Sequence, residues 1–79
     1  MDWKALIIPE GSQLFAIHRL NFIHQGVNYV LELNEHGPTN WIGHGEQATD
    51  QNIVIQSVNG TTLEDCLNKL IDRIHKRNQ

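Results

Sequence analysis

Six apolar residues near the end of the chain, Leu63, Cys66, Leu67, Leu70, Ile71 and Ile74, follow one another at spacings of 3, 1, 3, 1 and 3. An α-helix gathers such a series onto one face, because its period is 3.6 residues. The opposite face carries Glu64, Asp65, Asn68, Lys69, Asp72, Arg73 and Lys76. Thr61 with Glu64 reads as a capping box, and Thr62 with Asp65 repeats a similar pattern one residue on. Acidic side chains open the segment and basic ones close it, which suits the helix dipole. Asp65 with Lys69 and Asp72 with Lys76 are i,i+4 pairs in the favourable order. The spacing predicts an amphipathic helix over about 62–76. Everything before it reads as strand or loop, so the apolar stripe must bury itself on a sheet face.

The clearest strand signal is the alternation of Val27, Tyr29, Leu31 and Leu33 with Asn28, Val30, Glu32 and Asn34. With Gln25-Gly26 as a two-residue turn, Phe22 faces Tyr29, Leu20 faces Leu31 and His18 faces Leu33. The other side then matches Arg19 with Glu32, an opposite-charge cross-strand pair. Upstream, the parity of the apolar positions changes: Phe15 and Ile17 are odd, Leu20 and Phe22 even. A bulge near His18 and Arg19, or a strand apolar on both faces, would account for it. An earlier hairpin, with Glu10-Gly11 at its tip, would pair Ile7 with Leu14 and Leu6 with Phe15.

Residues 35–52 read as the irregular part, because Gly37-Pro38, Gly43 and Gly45 break any period. Trp41-Ile42 is at most a short strand within it. The run from Ile53 to Val58 is a β-branched strand closed by Asn59-Gly60. The expected architecture is a single α+β domain over 1–79: an antiparallel sheet of four or five strands packed against one C-terminal amphipathic helix. One helix covers one sheet face, and a core this small leaves little stability in reserve, so a homodimer is expected.

Composition excludes several classes. Of the 79 residues, 39% are hydrophobic and 19% charged, too apolar for a disordered chain. One cysteine permits neither an internal disulfide framework nor a multi-Cys zinc site. No run reaches the roughly 18 apolar residues of a membrane span, and no signal peptide is visible, so a cytoplasmic, non-membrane protein is the expectation. Gly43-His44-Gly45 lacks the Lys and Ser or Thr of a phosphate loop. Cys66 lies on the apolar stripe, and neither Ser12 nor Ser57 has a nucleophile's setting. No catalytic residue, cofactor or metal is assigned.

Residues 1–60 carry 2 basic and 6 acidic side chains, whereas Lys69, Arg73, Lys76 and Arg77 cluster at the chain's end. That cluster reads as dipole compensation on a solvated last turn, and direct nucleic-acid binding is not expected. The passage from Val58 to Leu67, Val-Asn-Gly-Thr-Thr-Leu-Glu-Asp-Cys-Leu, resembles the strand-to-helix passage of HicB-type antitoxins, where a Thr-Leu-Glu-Glu-Ala run opens the helix. The Pro and Gly segment that precedes it in that family is absent here.

These features point to a small non-catalytic macromolecule-binding domain, of the protein-interaction, inhibitor or antitoxin-type accessory kind found on phages and mobile elements. The candidate interaction surface is Trp41 with Glu35, Glu46 and His44, whose acidic flank would suit a protein partner with a basic surface. The alternative is a small-ligand or metal-binding domain using the 35–46 loop. Trp3 and Trp41 each suit either an interface or a plug at the end of a core.

Overall fold

A computed structural model describes residues 6–77. It has an α+β fold: β1 (Ala16–His24), β2 (Val27–Gly37), β3 (Asn40–Gln47) and β4 (Val54–Gly60) form one antiparallel sheet in the order β1-β2-β3-β4, and α1 (Leu63–Arg77) follows. The first ladder has the register that the alternation requires, with Phe22 opposite Tyr29, Leu20 opposite Leu31, His18 opposite Leu33 and Arg19 opposite Glu32. Gln25 and Gly26 both take positive φ, 51° and 79°. That is the type I′ geometry, whose twist matches that of the strands it joins. Pairing runs unbroken from Ala16 to His24. There is no bulge near His18, and β1 is therefore apolar on both faces: Leu20 and Phe22 on one, Ile17 and Ile23 on the other.

Two expectations are corrected. Residues 35–47 are strand and tight turn rather than loop, while 48–52 are irregular as expected. β2 continues to Gly37, Pro38-Thr39 makes a tight turn, and β3 occupies the next eight residues. None of the residues in that turn has positive φ. Such turns splay strands, and a register shift between Glu35 and Gly37 absorbs the mismatch. Gly43 and Gly45 are strand residues whose missing side chains make room. A Cβ on Gly43 would lie 2.8 Å from Cys66 Sγ and 2.9 Å from Leu70 Cδ1; one on Gly45 would lie 2.8 Å from Leu31 Cδ2. The second correction concerns the first hairpin. Its turn exists, with Ser12 N–H donating to the Pro9 carbonyl at 3.0 Å. No strands flank it, and residues 6–15 run along the surface. Two isolated strands without a third neighbour or a covering helix are marginal. Ala5 and Trp3 lie outside the described residues.

The core is the layer between the sheet and α1: Tyr29, Leu31 and Leu33 from β2, Trp41 from β3, Ile55 and Val58 from β4, and Cys66, Leu70 and Ile74 from the helix. Ile55 and Val58 differ in parity, and an even ladder would send one outward. The register passes from Gly43↔Val58 to Gly45↔Ile55, so three residues of β4 span two of β3. This bulge turns both side chains inward. The helix packs over β2, β3 and β4. Its N-terminus uses the second of the two cap patterns. Thr62 Oγ1 accepts the Asp65 N–H at 3.0 Å, and Asp65 Oδ2 accepts the Thr61 N–H at 3.1 Å. The cap thus sits at Thr62, and the helix begins one residue later than the spacing alone suggests.

Candidate interaction surface

The sheet divides the four residues Trp41, Glu35, Glu46 and His44 between its two faces. Glu35 and Trp41 are register partners and share the helix-side face with Leu33. His44 and Glu46 alternate to the open face. Trp41 is 9% exposed and belongs to the core, with the His18 ring 5.4 Å from it. The four residues therefore form no common surface, and Glu35 and Glu46 do not flank the indole as an acidic rim.

On the open face a polar row crosses three strands. Arg19 Nη1 lies 3.8 Å from Glu32 Oε1, and His44 Nε2 lies 3.5 Å from Glu32 Oε2. The register places these residues side by side on β1, β2 and β3. Apolar groups frame the row: Ile17 is 55% exposed and Ile23 70%. The helix-side face of β1 lies beyond the helix, and Leu20 is 39% exposed there. The chain leading into β1 adds Leu6, Ile7, Ile8, Leu14 and Phe15, all exposed, Ile7 completely. Phe15 stacks on His36 at 5.0 Å, which fixes the end of this segment against β2. Among the described residues, every exposed large hydrophobic side chain but Val54 falls in this stretch of chain. The sequence carried a sign of it in the parity change between Ile17 and Leu20.

The basic cluster at the end of α1 is turned back onto the protein. Lys69 Nζ donates to the Asn59 carbonyl at 2.7 Å and lies 3.3 Å from Asp65. Arg73 reaches Gln56 Oε1, Arg77 reaches the Val54 carbonyl, and Lys76 pairs with Asp72. The contacts from Lys69, Arg73 and Arg77 fasten the helix to β4.

The histidines sit in separate places. His18 packs on Trp41, His36 on Phe15, and His44 beside Glu32. His24 and His75, distant in sequence, meet with ring centroids 5.7 Å apart. Among the described residues no three His, Cys, Asp or Glu side chains come together as a metal site. Cys66 is fully buried, and burial, with the nearby Asp65 charge, pushes its thiol pKa up. The thiol is thereby kept protonated and poorly nucleophilic. Among the described residues no helix is long and apolar enough to cross a membrane.

No family model matches the chain, and neither the curated proteins nor the solved structures contain a match. The Thr62–Asp65 cap, which strand-to-helix junctions of many folds share, accounts for the likeness of residues 58–67 to HicB-type antitoxins.

Proposed function

We propose that the chain is a non-catalytic protein-binding domain of the class that includes inhibitors and antitoxin-type accessory proteins, and that it binds through β1 and the apolar segment leading into it. The carrying observation is the concentration of exposed apolar side chains there: Leu6, Ile7, Leu14, Phe15, Ile17 and Ile23 are solvent-facing in a small domain whose core is elsewhere. Soluble domains rarely leave apolar surface gathered in one region unless a partner covers it. The polar row Arg19–Glu32–His44 gives that surface a directional element between apolar flanks.

Immobilised protein incubated with host extract tests the proposal. Wild type should retain a defined protein that Ile23→Lys loses, while the melting temperatures of the two agree within a degree or two, because Ile23 packs on nothing in the core. Retention of the same protein by Ile23→Lys and by Ile17→Lys would falsify this assignment of the surface.

A further inference from the structure

Within the reading that β1 belongs to a protein-binding surface, we propose that one occupant is a second copy of the chain, docked β1 against β1 in antiparallel fashion about a two-fold axis through Leu20. The two edges of the sheet differ. At β4, the Lys69 and Arg77 side chains hold the Asn59 and Val54 carbonyls, and Arg73 holds Gln56. That edge is covered by cations of the chain's own helix, a common way to keep a sheet from pairing onward. Among the described residues, β1 has no such cover. It holds no proline and no lysine, and its single Arg19 is drawn across to Glu32 on the neighbouring strand.

Among the described residues, none pairs its backbone with the outer side of β1. A two-residue turn closes on a hydrogen-bonded pair, here His24 with Val27, and such pairs alternate along the ladder. The even residues of β1 therefore direct their N–H and C=O groups to β2. Ile17, Arg19, Asn21 and Ile23 direct theirs outward. The other edge of β2 agrees with this phase, because the Asn28 carbonyl accepts from Ala48 N–H beyond the end of β3.

An isologous contact requires a surface complementary to itself. β1 has nine residues, Ala16–His24, with Leu20 at its centre. Rotation about Leu20 sets Ile17 opposite the second copy's Ile23 on the open face. On the helix side it sets His18 opposite Phe22, and Leu20 opposite Leu20. Arg19 meets Asn21, so no like charges stand opposite each other. All four outward-facing residues enter hydrogen-bonded pairs. Shifting the register by one step of two residues places Arg19 against Arg19 in one direction, and leaves an end of the strand unpaired in both. The product is a continuous eight-stranded sheet with both helices on one face. An interface of nine strand residues a side is small, so the self-association is tested over a wide concentration range.

Sedimentation equilibrium between about 1 and 300 µM, together with two variants, tests the register. Wild type should pass from one chain mass to two. Asn21→Pro removes an outward N–H and spares the bonds to β2, so dimerisation should weaken at least about tenfold with the melting temperature nearly kept. Leu20→Cys, whose two copies would have Cα atoms about 4.5 Å apart as a non-hydrogen-bonded pair, should form a disulfide-linked dimer on mild oxidation. Ile17→Cys should not, since its copies would be roughly 20 Å apart. A wild type monomeric throughout, or Ile17→Cys linking as readily as Leu20→Cys, overturns the proposal. If the wild type stays monomeric while Ile23→Lys still loses a captured protein, self-pairing fails and the protein-binding surface stands.

Discussion

At Gly43 a single atom matters, because a Cβ there would lie 2.8 Å from Cys66 Sγ and 2.9 Å from Leu70 Cδ1. Gly43→Ala should cost roughly 1–3 kcal/mol, the usual penalty for overpacking, measured by urea denaturation. Trp41 tests the core assignment. Trp41→Ala should lower stability by about 3–5 kcal/mol and the melting point by many degrees, whereas a merely superficial indole would leave both nearly unchanged. Asp65 adds a pH signature. Its bond from the Thr61 N–H, and then its pairing with Lys69, hold the carboxyl below its ordinary value of 3.8. A lowered folded-state pKa stabilises above the ordinary value and is lost as pH falls through the lowered one. Asp65→Asn should therefore be less stable than wild type at pH 7, and the gap should close in melts run at progressively lower pH below about 4.

At the scale of elements, the helix is attached by its buried line. Cys66, Leu70 and Ile74 are fully buried, and Leu63 and Leu67 pack at the margin. Leu70→Ala should cost roughly 2–5 kcal/mol in chemical denaturation, a large part of the stability of a domain this size. The first hairpin carries a smaller, opposite opportunity. Gln25 is held at φ 51°, a conformation that Asn adopts more readily. Gln25→Asn should raise stability by a few tenths to about 1 kcal/mol, seen as a higher melting temperature. The elements were legible to different degrees. The helix and the β1–β2 register were readable because a 3.6 period and a two-residue turn are local properties. β3 was not, since glycine carries the same symbol whether it breaks a strand or makes room within one, for the helix at 43 and for Leu31 at 45.

At the scale of the whole molecule, the sequence by itself determined the fold class, the buried stripe of α1 and the ladder between β1 and β2. Periodicity and turn chemistry are written in neighbouring residues, and they need no knowledge of what lies across the core. The tertiary structure alone decided the rest. Cys66 and Leu70 lie over Gly43, and this contact makes a strand of a glycine-rich stretch. The β4 bulge turns both Ile55 and Val58 inward. Trp41 becomes core and is separated from His44 and Glu46, because adjacent strand residues point to opposite faces. The helix packs over β2, β3 and β4 and meets β1 at its end, where His75 reaches His24, and most of the exposed large apolar residues among those described are those of β1 and the segment before it. Which apolar residues stay uncovered depends on where a helix of fixed width comes to rest on a wider sheet, and that is a property of packing between distant segments.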